Sequence, residues 1–481
     1  MKIIIASSEV VPFSKTGGLA DVAGALPYAF REVSDCDVRV VSPLYKMTKE
    51  RKLHLKMIKR VEGVPGFEDM EPFDLFKSEN NGVTFYFIGK DEYFDREGLY
   101  GTPKGDHGDN AARFSFFCKA ILATMFDMKF YPDIIHIHDW QTALVPLYRK
   151  LRLPQQHPLQ QAKILFTVHN LGYQGLFPPE VMRDIGIPPE FFTMDTLEFY
   201  GKLNFIKSGI IYSDAVSTVS KKYAREILTP EYGCGLEGLL QTREANLYGI
   251  LNGVDYKDWN PETDTLIPAN YGPDTLEKKE LCKEILLEEM KMTLPASRPL
   301  IGFVGRLAVQ KGIDLITAVL SEIIKAGAGF VLLGTGDEKY ENVLKKVTKR
   351  YAGKTGIRIA FDNKLAHMIE AGVDIFILPS RYEPCGLNQM YSLKYGTIPI
   401  VRATGGLDDT IIDYSENPTE GNGFKFEHAD AKDFLNSVQR ALKVFSNKKQ
   451  WRTLQKRGME ADFSWRRSAR EYMSLFEKMI G

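Results

Sequence analysis

The sequence predicts an α/β protein with two similar domains, each built on a doubly wound parallel sheet. Short apolar runs alternate with longer amphipathic stretches along the chain, as strands alternate with helices in such folds. Some runs, such as residues 3–6 and 330–333, are apolar at successive positions, which is typical of strands covered on both faces. In addition, residues 15–22 read Lys-Thr-Gly-Gly-Leu-Ala-Asp-Val, and residues 404–410 read Thr-Gly-Gly-Leu-Asp-Asp-Thr.

The bulk composition narrows the class of protein. A chain of 481 residues is too long for one ordinary core, so two or three domains are expected. Lys and Arg total 62, as do Asp and Glu, so the charge balance gives no indication of a nucleic-acid or membrane partner. The strand-like start at residues 1–6 predicts that the N-terminus is not a signal peptide, and no apolar run of about 18 residues predicts a transmembrane helix. Five scattered cysteines predict reduced thiols and a cytoplasmic protein.

The elements follow from periodicity and from breaks at polar, Gly or Pro residues. Strands are predicted at residues 3–6, 83–88, 133–138, 164–168, 215–219, 248–251, 300–304, 330–333, 357–361, 374–378 and 398–401. Helices are predicted at residues 111–125, 315–325, 340–351, 431–445 and 465–481.

The strand–helix alternation breaks once. A polar, Pro-bearing stretch at residues 256–273 follows the strand-like residues 248–251, and the alternation restarts near residue 300. We therefore predict an N-terminal domain at residues 1–252 and a C-terminal domain at residues 253–464. Residues 465–481 form a final amphipathic helix.

Each Thr-Gly-Gly copy lies between a predicted strand and a predicted helix. A Gly-Gly turn allows backbone N–H groups to approach a phosphate, and a helix N-terminus favours its negative charge. Lys15 adds a cation to the first copy, although it is also acceptable as a solvated surface charge. The repeat predicts two domains that face one another with an anionic ligand between them.

Two cations follow the predicted strand at residues 300–304. Arg306 and Lys311 lie just beyond its carboxyl end, the edge at which open α/β sheets bind ligands. Arg can form bidentate hydrogen bonds with a diphosphate and Lys contributes a point charge. The alternative is a pair of ordinary surface charges on a loop.

Two further loops follow predicted strands in the C-terminal half. Residues 332–337 read Leu-Leu-Gly-Thr-Gly-Asp, which does not match the GxGxxG pattern of dinucleotide-binding proteins. Residues 379–386 place Glu383 among Pro, Cys and Gly, which indicates a packed loop. A carboxylate there can bind sugar hydroxyls or balance a developing positive charge.

Histidines and an aspartate end two strands of the N-terminal half. His136 and His138 alternate onto one face, a spacing that permits a metal site, but no third ligand is evident nearby. Asp139 and His169 are better placed as polar groups that line a cleft, with a structural role for His169 as the alternative.

Taken in order, these motifs resemble those of bacterial glycogen synthases and the related plant starch synthases, glycosyltransferase family 5, over essentially the whole chain. The resemblance rests on residues 9–21, 138–140, 167–170, 249–255, 305–306, 311–312, 383–386, 395–397 and 404–407.

The resemblance implies the GT-B fold, with two Rossmann-like domains facing across a deep cleft. It implies transfer of glucose from ADP-glucose to the non-reducing end of glycogen or a malto-oligosaccharide, with retention of configuration. It also implies that the reaction uses no metal. From the residues we further expect no pyridoxal phosphate, no nucleic-acid or membrane partner and a cytoplasmic location. No segment specifies an oligomeric state.

The resemblance assigns roles to individual residues. It places Asp139 and His169 on the acceptor side, with His169 acting partly through its backbone carbonyl, and Glu383 at the transferred glucose. The remaining residues implied to bind the nucleotide sugar are Lys15, Gly18, Arg306, Lys311, Phe361, Cys385, Gly386, Thr404 and Gly405. In this assignment Arg306 and Lys311 hold the diphosphate. The final helix is expected to pack on the N-terminal domain.

Two positions depart from the pattern of the family. Phe361 stands where relatives often have a tyrosine thought to stack on adenine, and it retains the stacking face. Asn388 stands where a threonine is common.

Three alternatives remain open. The first is a GT-B enzyme that uses UDP-glucose; many such enzymes have a second glutamate eight residues after the first, where this chain has Tyr391. The second is a glucan phosphorylase, which needs pyridoxal phosphate. The third is a non-catalytic relative that binds glucan or nucleotide, which the presence of Lys15, Arg306, Lys311 and Glu383 disfavours.

Overall fold

The computed structural model describes residues 1–51 and 53–481, which form two compact units. The first unit comprises Met1–Val219, Ala224–Gly253 and Trp465–Gly481, and the second comprises Ser220–Tyr223 and Val254–Ser464. Among the described residues, no helix has the length and apolar character needed to cross a membrane. All five cysteines are free thiols.

The first unit contains a nine-stranded sheet and two small antiparallel sheets. Its strands are β1 (Lys2–Ala6), β2 (Asp37–Pro43), β3 (Lys56–Val61), β4 (Phe73–Asn80), β5 (Val83–Gly89), β6 (Gly101–Thr102), β7 (Gly105–Asp106), β8 (Ile134–His138), β9 (Lys163–Val168), β10 (Leu176–Phe177), β11 (Glu198–Phe199), β12 (Lys202–Asn204), β13 (Ala215–Thr218) and β14 (Leu247–Gly249). The large sheet has the order β14-β13-β9-β8-β1-β2-β5-β4-β3, and only the β5–β4 and β4–β3 pairs are antiparallel. The small sheets are β10-β12-β11 and β6-β7.

Helices connect these strands. They are α1 (Gly18–Val33), α2 (Lys46–Glu50), α3 (Asp91–Phe94), α4 (Asn110–Asp127), α5 (Val145–Arg152), α6 (Val181–Asp184), α7 (Phe205–Tyr212), α8 (Lys221–Glu226) and α9 (Glu237–Thr242), with 3-10 turns at Pro158–Gln160, Pro189–Phe191 and Glu244–Asn246. In the large sheet, β2 lies on one side of β1 and β8 on the other, so the connections that leave β1 and β8 diverge. Divergence of this kind opens a crevice at the carboxyl edge of a sheet.

The second unit has one six-stranded parallel sheet in the order β17-β16-β15-β18-β19-β20. Its strands are β15 (Leu300–Val304), β16 (Gly329–Leu333), β17 (Thr355–Arg358), β18 (Ile375–Leu378), β19 (Ile398–Arg402) and β20 (Phe424–Phe426). Its helices are α10 (Lys279–Glu289), α11 (Ile313–Lys325), α12 (Glu338–Arg350), α13 (Asn363–Gly372), α14 (Asn388–Lys394), α15 (Gly405–Thr410), α16 (Ala431–Phe445) and α17 (Lys448–Glu460), with 3-10 turns at Pro273–Lys278 and Val309–Lys311. The order reverses between β15 and β18.

Local sequence explains where the helices of the second unit begin. The Asp362 side chain accepts a hydrogen bond from the Leu365 amide at the start of α13, and Asp430 does the same for the Asp433 amide at the start of α16. The apolar faces of α11 and α16 are buried with the strands in one core. Helix boundaries in this unit therefore follow from capping residues and apolar periodicity together.

The final helix, α18 (Trp465–Ile480), packs on α1 in the first unit. Phe476 lies edge-on to Phe30 with ring centroids 5.5 Å apart, and the Ser468 hydroxyl donates to the Leu251 carbonyl at 2.6 Å. A side chain at Gly253 would overlap the backbone of Trp465, so the approach of this helix requires glycine there.

The predicted α/β architecture with two doubly wound sheets is confirmed, although β4 and β3 extend the first sheet as antiparallel edge strands. Predicted strand 300–304 and helix 431–445 coincide with β15 and α16. The strand predicted at residues 357–361 is instead Thr355–Arg358, because its pairing with β16 covers residues 355–358. Phe361 therefore lies in the loop beyond the strand.

Candidate active site

In the second unit, the predicted site residues lie beyond the carboxyl ends of β15, β18 and β19. These three strands are neighbours in the sheet, and the order reverses between the first two. Arg306 and Lys311 follow β15, Glu383 follows β18, and Thr404 and Gly405 follow β19. Parallel pairing thus brings together residues that are far apart in the sequence.

Glu383 supplies the carboxylate of this group and is buried, with 8% of the residue exposed. The Lys311 ammonium donates to its Oε2 at 2.6 Å, and the Ser380 hydroxyl donates to the same oxygen at 3.1 Å. The two donors fix the orientation of the carboxylate. The loop glutamate is therefore an oriented, charge-paired group.

The loop that bears Glu383 is held by direct backbone contact with the second Thr-Gly-Gly copy. The Gly406 amide donates to the carbonyls of Glu383 and Pro384 at 3.2 and 3.1 Å. Gly405 has a φ of 46°, and a side chain there would overlap the Glu383 carbonyl oxygen. A side chain at Gly406 would overlap the Cys385 carbonyl oxygen. Glycine is therefore required at both positions.

The β15 loop is linked to the same Glu383 loop. The Arg381 amide donates to the Gln310 carbonyl at 2.8 Å, and the Gln310 side chain donates to the Tyr382 carbonyl at 3.0 Å. The Arg306 guanidinium donates to the Gln310 side-chain oxygen at 3.1 Å and is otherwise exposed. Arg306 therefore presents an accessible cation beside the Lys311–Glu383 pair.

A pocket of about 290 Å³ lies at the carboxyl ends of β15, β16 and β17. Arg306 and Phe361 both line it, and the Phe361 side chain is 94% exposed. A planar aromatic ring with a free face at such a pocket can stack on a base. Cys385 and Thr404 are buried, with Cys385 at 6% exposure and Thr404 at 0%, and Gly386 has a φ of 71°. These three residues therefore shape the loops around the site.

In the first unit, Glu9 organises the first Thr-Gly-Gly copy. Its carboxylate accepts hydrogen bonds from the amides of Thr16 and Gly17, from the Thr16 hydroxyl at 2.7 Å and from the Tyr100 hydroxyl at 2.7 Å. Two of the amides in this turn are therefore already bonded to a carboxylate. No side chain caps α1, which begins at Gly18.

The glycines of this first copy differ from those of the second. A side chain at Gly17 or Gly18 would meet nothing within 4 Å, and Gly17 has an extended φ of −147°. The fold does not need glycine at these two positions. The open space beside the N-terminus of α1 is a place where a ligand can approach closely.

Lys15, next to this turn, forms an ion pair with Asp21 at 2.7 Å. The two side chains are 48% and 32% exposed. An exposed pair of this kind contributes little to stability, at most about 1 kcal/mol. The Lys15 ammonium can therefore exchange this partner for an anionic ligand at low cost.

Asp139 and His169 meet where β8 and β9 end. The His169 amide donates to the Asp139 carboxylate at 2.7 Å, and Asp139 has a left-handed φ of 56°. Removal from water raises the pKa of Asp139 to about 7, helped by the charge of Glu9, although the hydrogen bond from the His169 amide opposes the rise. Asp139 is therefore a carboxyl that can change protonation near neutral pH.

The nearby histidines are neutral imidazoles. Burial lowers the pKa of His169 to about 3 and of His136 to about 3, and it lowers the pKa of His138 well below its usual value. His138 Nδ1 is hydrogen-bonded to His169 Nε2 at 3.0 Å, and His136 Nε2 to the Thr167 hydroxyl at 2.7 Å. Across residues 1–51 and 53–481, no cluster of three or more His, Cys, Asp or Glu side chains is arranged to hold a metal ion.

The chain matches known protein families along most of its length. The family model for the starch synthase catalytic domain matches residues 2–242, and that for glycosyl transferases group 1 matches residues 288–457. The glycogen synthase of Koribacter versatilis is 48% identical over 99% of this chain and 98% of its own length. That of Syntrophotalea carbinolica is 41% identical over 100% of this chain and 99% of its own length.

The chain belongs to the glycogen synthase family.

The structural comparison agrees with this family. The catalytic domain of starch synthase IV from Arabidopsis thaliana, in a structure described as bound to ADP and acarbose, superposes with a TM-score of 0.89 at 33% identity, covering 100% of this chain and 99% of that one. Sucrose-phosphate synthase from Thermosynechococcus elongatus has a TM-score of 0.60 at 18% identity over 99% and 98% of the two chains, which is a likeness of fold alone. The chain is a glycosyltransferase with the GT-B fold, as predicted.

For this member of the glycogen synthase family, sequence reasoning missed several residues at both sites. Glu9 and Tyr100 lie at the first Thr-Gly-Gly turn, and Trp259 and Glu370 line the pocket beside Arg306. Glu9 begins the motif at residues 9–21, which is the signal that would have suggested it. No local pattern marks the other three, because their positions depend on contacts between distant segments.

The two Thr-Gly-Gly copies should respond differently to alanine. Gly405→Ala is expected to destabilise the protein by at least about 2 kcal/mol, because it combines a left-handed φ with steric overlap. Gly18→Ala is expected to change stability by less than about 1 kcal/mol, because its side chain meets nothing. Thermal unfolding of the two variants and the parent measures this. Equal losses of stability would contradict the difference between the turns.

The pKa of Asp139 predicts a pH-dependent stability. The carboxyl binds its proton more tightly in the folded protein, where the pKa is about 7, than in the unfolded chain, where it is about 4. Its contribution to stability is therefore complete below about pH 4 and is lost as the pH rises to about 7. The melting temperature of the parent minus that of Asp139→Asn, both measured by calorimetry, should therefore fall as the pH rises across this range. A difference that stays constant with pH would contradict the raised pKa.

Proposed function

We propose that this protein is a glycogen synthase that transfers glucose from ADP-glucose to the non-reducing end of an α-1,4-glucan, with retention of configuration. The observation that carries the proposal is the oriented Lys311–Glu383 pair beside the accessible Arg306, in a chain similar to glycogen synthases over its full length. Similarity to a starch synthase described as bound to ADP and acarbose supports an ADP-based donor and a glucan acceptor.

On the donor side, the bond between glucose C1 and the diphosphate oxygen breaks, which leaves negative charge on ADP. Arg306 and Lys311 lie at one sheet edge, and we assign them to the diphosphate. Fixed cations at a developing negative charge lower the barrier without reorganisation. The reaction then needs no metal to stabilise the leaving group.

Glu383 is assigned to the glucose that is transferred. Both of its donors, Lys311 and Ser380, bind Oε2, and we propose that Oε1 accepts from glucose hydroxyls. The carboxylate can also stabilise the positive charge that develops on the sugar ring as the C1 bond lengthens. Lys311 would then contact both the Glu383 carboxylate, which faces the positive charge on the sugar, and the diphosphate, which gains negative charge.

On the acceptor side, we assign Asp139 and His169. The acceptor O4 forms the new bond to glucose C1 and loses its proton, which the departing phosphate oxygen can receive in a same-face displacement. Asp139 is assigned to the hydroxyls of the acceptor glucan. The hydrogen bond from the His169 amide orients its carboxyl group. His169 is neutral, so its carbonyl and its imidazole can contact sugar without adding a charge.

The assignment is tested by measuring glucose transfer from radiolabelled ADP-glucose and UDP-glucose onto glycogen, without added metal. Incorporation from ADP-glucose is the expected result. Preference for UDP-glucose would overturn the assignment of ADP-glucose as the donor. If neither donor gives incorporation but both nucleotides still bind, the protein would be a non-catalytic relative. A requirement for added metal would overturn the metal-free stabilisation of the leaving group.

Glu383→Ala is expected to lower kcat by about 10²–10³-fold, the usual effect of removing one preorganised electrostatic group. Binding of ADP-glucose should change much less, because the phosphates are held by other residues. Steady-state kinetics and equilibrium binding measure the two effects. Glu338→Ala, an exposed glutamate of the same unit, serves as the control. A kcat near that of the parent would remove Glu383 from the reaction.

Lys15→Gln is expected to raise the KM for ADP-glucose about tenfold with a smaller change in kcat, since one charged hydrogen bond is worth about 1.5–3 kcal/mol. Lys59→Gln is a matched control, because Lys59 also forms an exposed ion pair, with Asp127 at 2.7 Å, in the same unit. If only the KM for glycogen rose, Lys15 would belong to the acceptor instead.

A further inference from the structure

The pocket beside Arg306 contains a buried carboxyl that the proposed reaction does not use. Residues 363, 366 and 370 line the pocket from one face of α13, at the i, i+3, i+7 spacing of a helix. Glu370 is the last of these and is 2% exposed. A buried carboxyl at the wall of a pocket is costly unless it has partners, so its position calls for a role.

The surroundings of Glu370 fix its side chain. The Ser392 hydroxyl donates to Glu370 Oε2 at 2.7 Å, from the neighbouring α14. The Lys279 ammonium bonds to the Glu370 backbone carbonyl at 3.2 Å, and to the Ala371 carbonyl and the Thr397 hydroxyl at 2.7 Å each. Burial raises the pKa of Glu370 to about 8, so at neutral pH the group is mostly a carboxylic acid with one donor and one acceptor.

An aromatic stack forms the adjoining wall. The Trp259 ring, which lines the pocket, lies between His367 and Tyr391, with centroid distances of 3.8 and 4.0 Å and interplanar angles of 13° and 4°. His367 is in turn hydrogen-bonded to Asp264 at 2.7 Å. Position 391, where many UDP-glucose enzymes have a second glutamate, thus contributes a ring to this stack. The carboxyl in the pocket comes from α13 instead.

Asn388 is a second polar group on the same pocket. Its side-chain amide donates to the Val304 carbonyl at 3.1 Å, which leaves the amide oxygen as an acceptor. Asn388 and Glu370 therefore offer hydrogen-bonding atoms of both kinds within one pocket. The neighbouring Ala366 and Trp259 add apolar surface against which a sugar ring can pack.

The parts of a nucleotide sugar can be matched to the groups around this pocket. Arg306 is suited to the diphosphate, and the exposed face of Phe361 is suited to the base. The part that remains is the ribose, whose two neighbouring hydroxyls each donate and accept hydrogen bonds. We propose that Glu370, together with Asn388, binds the ribose hydroxyls of the donor nucleotide. This inference rests on the proposed function, because it presumes a nucleotide-sugar donor.

The test compares dissociation constants of ADP, 2′-deoxy-ADP, 3′-deoxy-ADP and UDP for the parent, Glu370→Met and Glu370→Gln, measured by calorimetry. Methionine keeps the length of the side chain and removes its polar atoms, whereas glutamine keeps one donor and one acceptor. We expect Glu370→Met to weaken ADP binding about tenfold, the loss typical of one or two neutral hydrogen bonds. Glu370→Gln should bind ADP within about threefold of the parent.

The deoxy analogues and UDP distinguish a contact with the ribose from a contact with the base and from general damage to the pocket. The parent should bind at least one deoxy analogue about tenfold more weakly than ADP, and Glu370→Met should lose this discrimination. The fold-loss for UDP should equal that for ADP, because both carry the same ribose; unequal losses would mean that Glu370 contacts the base. If Glu370→Met loses affinity equally for ADP and for both deoxy analogues, the substitution damages the pocket in general, and the proposal is overturned. Unchanged ADP binding by Glu370→Met would also overturn it.

Two controls complete the experiment. Glu284→Met makes the same change at an exposed position on α10 of the same unit and should bind ADP like the parent. Melting temperatures measured without nucleotide show whether Glu370→Met remains folded. If it does not, Asn388→Ala, which removes the other proposed ribose contact, is measured in its place and should likewise weaken ADP binding and reduce discrimination against a deoxy analogue. If the parent transfers no glucose and binds neither nucleotide, the proposed function fails. If the parent binds ADP and both deoxy analogues equally well, the ribose inference is wrong, whereas the proposed function still stands.

Discussion

Parallel strand pairing is the constraint on which both candidate sites depend. Because parallel strands run in one direction, the loops that follow them meet at a single edge, and a reversal of strand order opens a crevice there. The first unit has this reversal between β1 and β8, and the second between β15 and β18. The polar groups assigned to chemistry lie beyond those strands, while the strands themselves are buried and apolar.

Four carboxyls near these edges are held in four different ways. Glu9 accepts from backbone amides and hydroxyls, Glu383 is paired with a lysine, Asp139 accepts from a backbone amide, and Glu370 accepts from a buried serine. Charge pairing with Lys311 orients the Glu383 carboxylate, as its proposed contact with the transferred sugar requires. Burial raises the pKa of Asp139 and of Glu370, although the charge of Lys279 near Glu370 opposes the rise there. The same carboxyl group thus differs in orientation and in pKa according to the residues that surround it.

The sequence predicted a large part of the fold and part of the sites. Alternating apolar runs located β15 and α16, and motif order indicated the family that the comparisons then established. The strand before Phe361 was placed too far along the chain, because an apolar run does not reveal where pairing with its neighbour stops. Glu370 was not identified at all. It lies within an amphipathic helix, where its pattern matches that of any helical glutamate.

By itself, the sequence determined the fold class, the family and the residues that follow each strand, because these depend on local periodicity and on short motifs. Only the tertiary structure decided what each residue contacts. Lys311 and Glu383 are 72 positions apart, yet they form one ion pair. The two Thr-Gly-Gly copies look alike in sequence, but only Gly405 and Gly406 are required by close backbone contact, whereas Gly17 and Gly18 face open space. The physical reason is that packing between distant segments sets steric room, charge pairing and burial, and no local pattern encodes them.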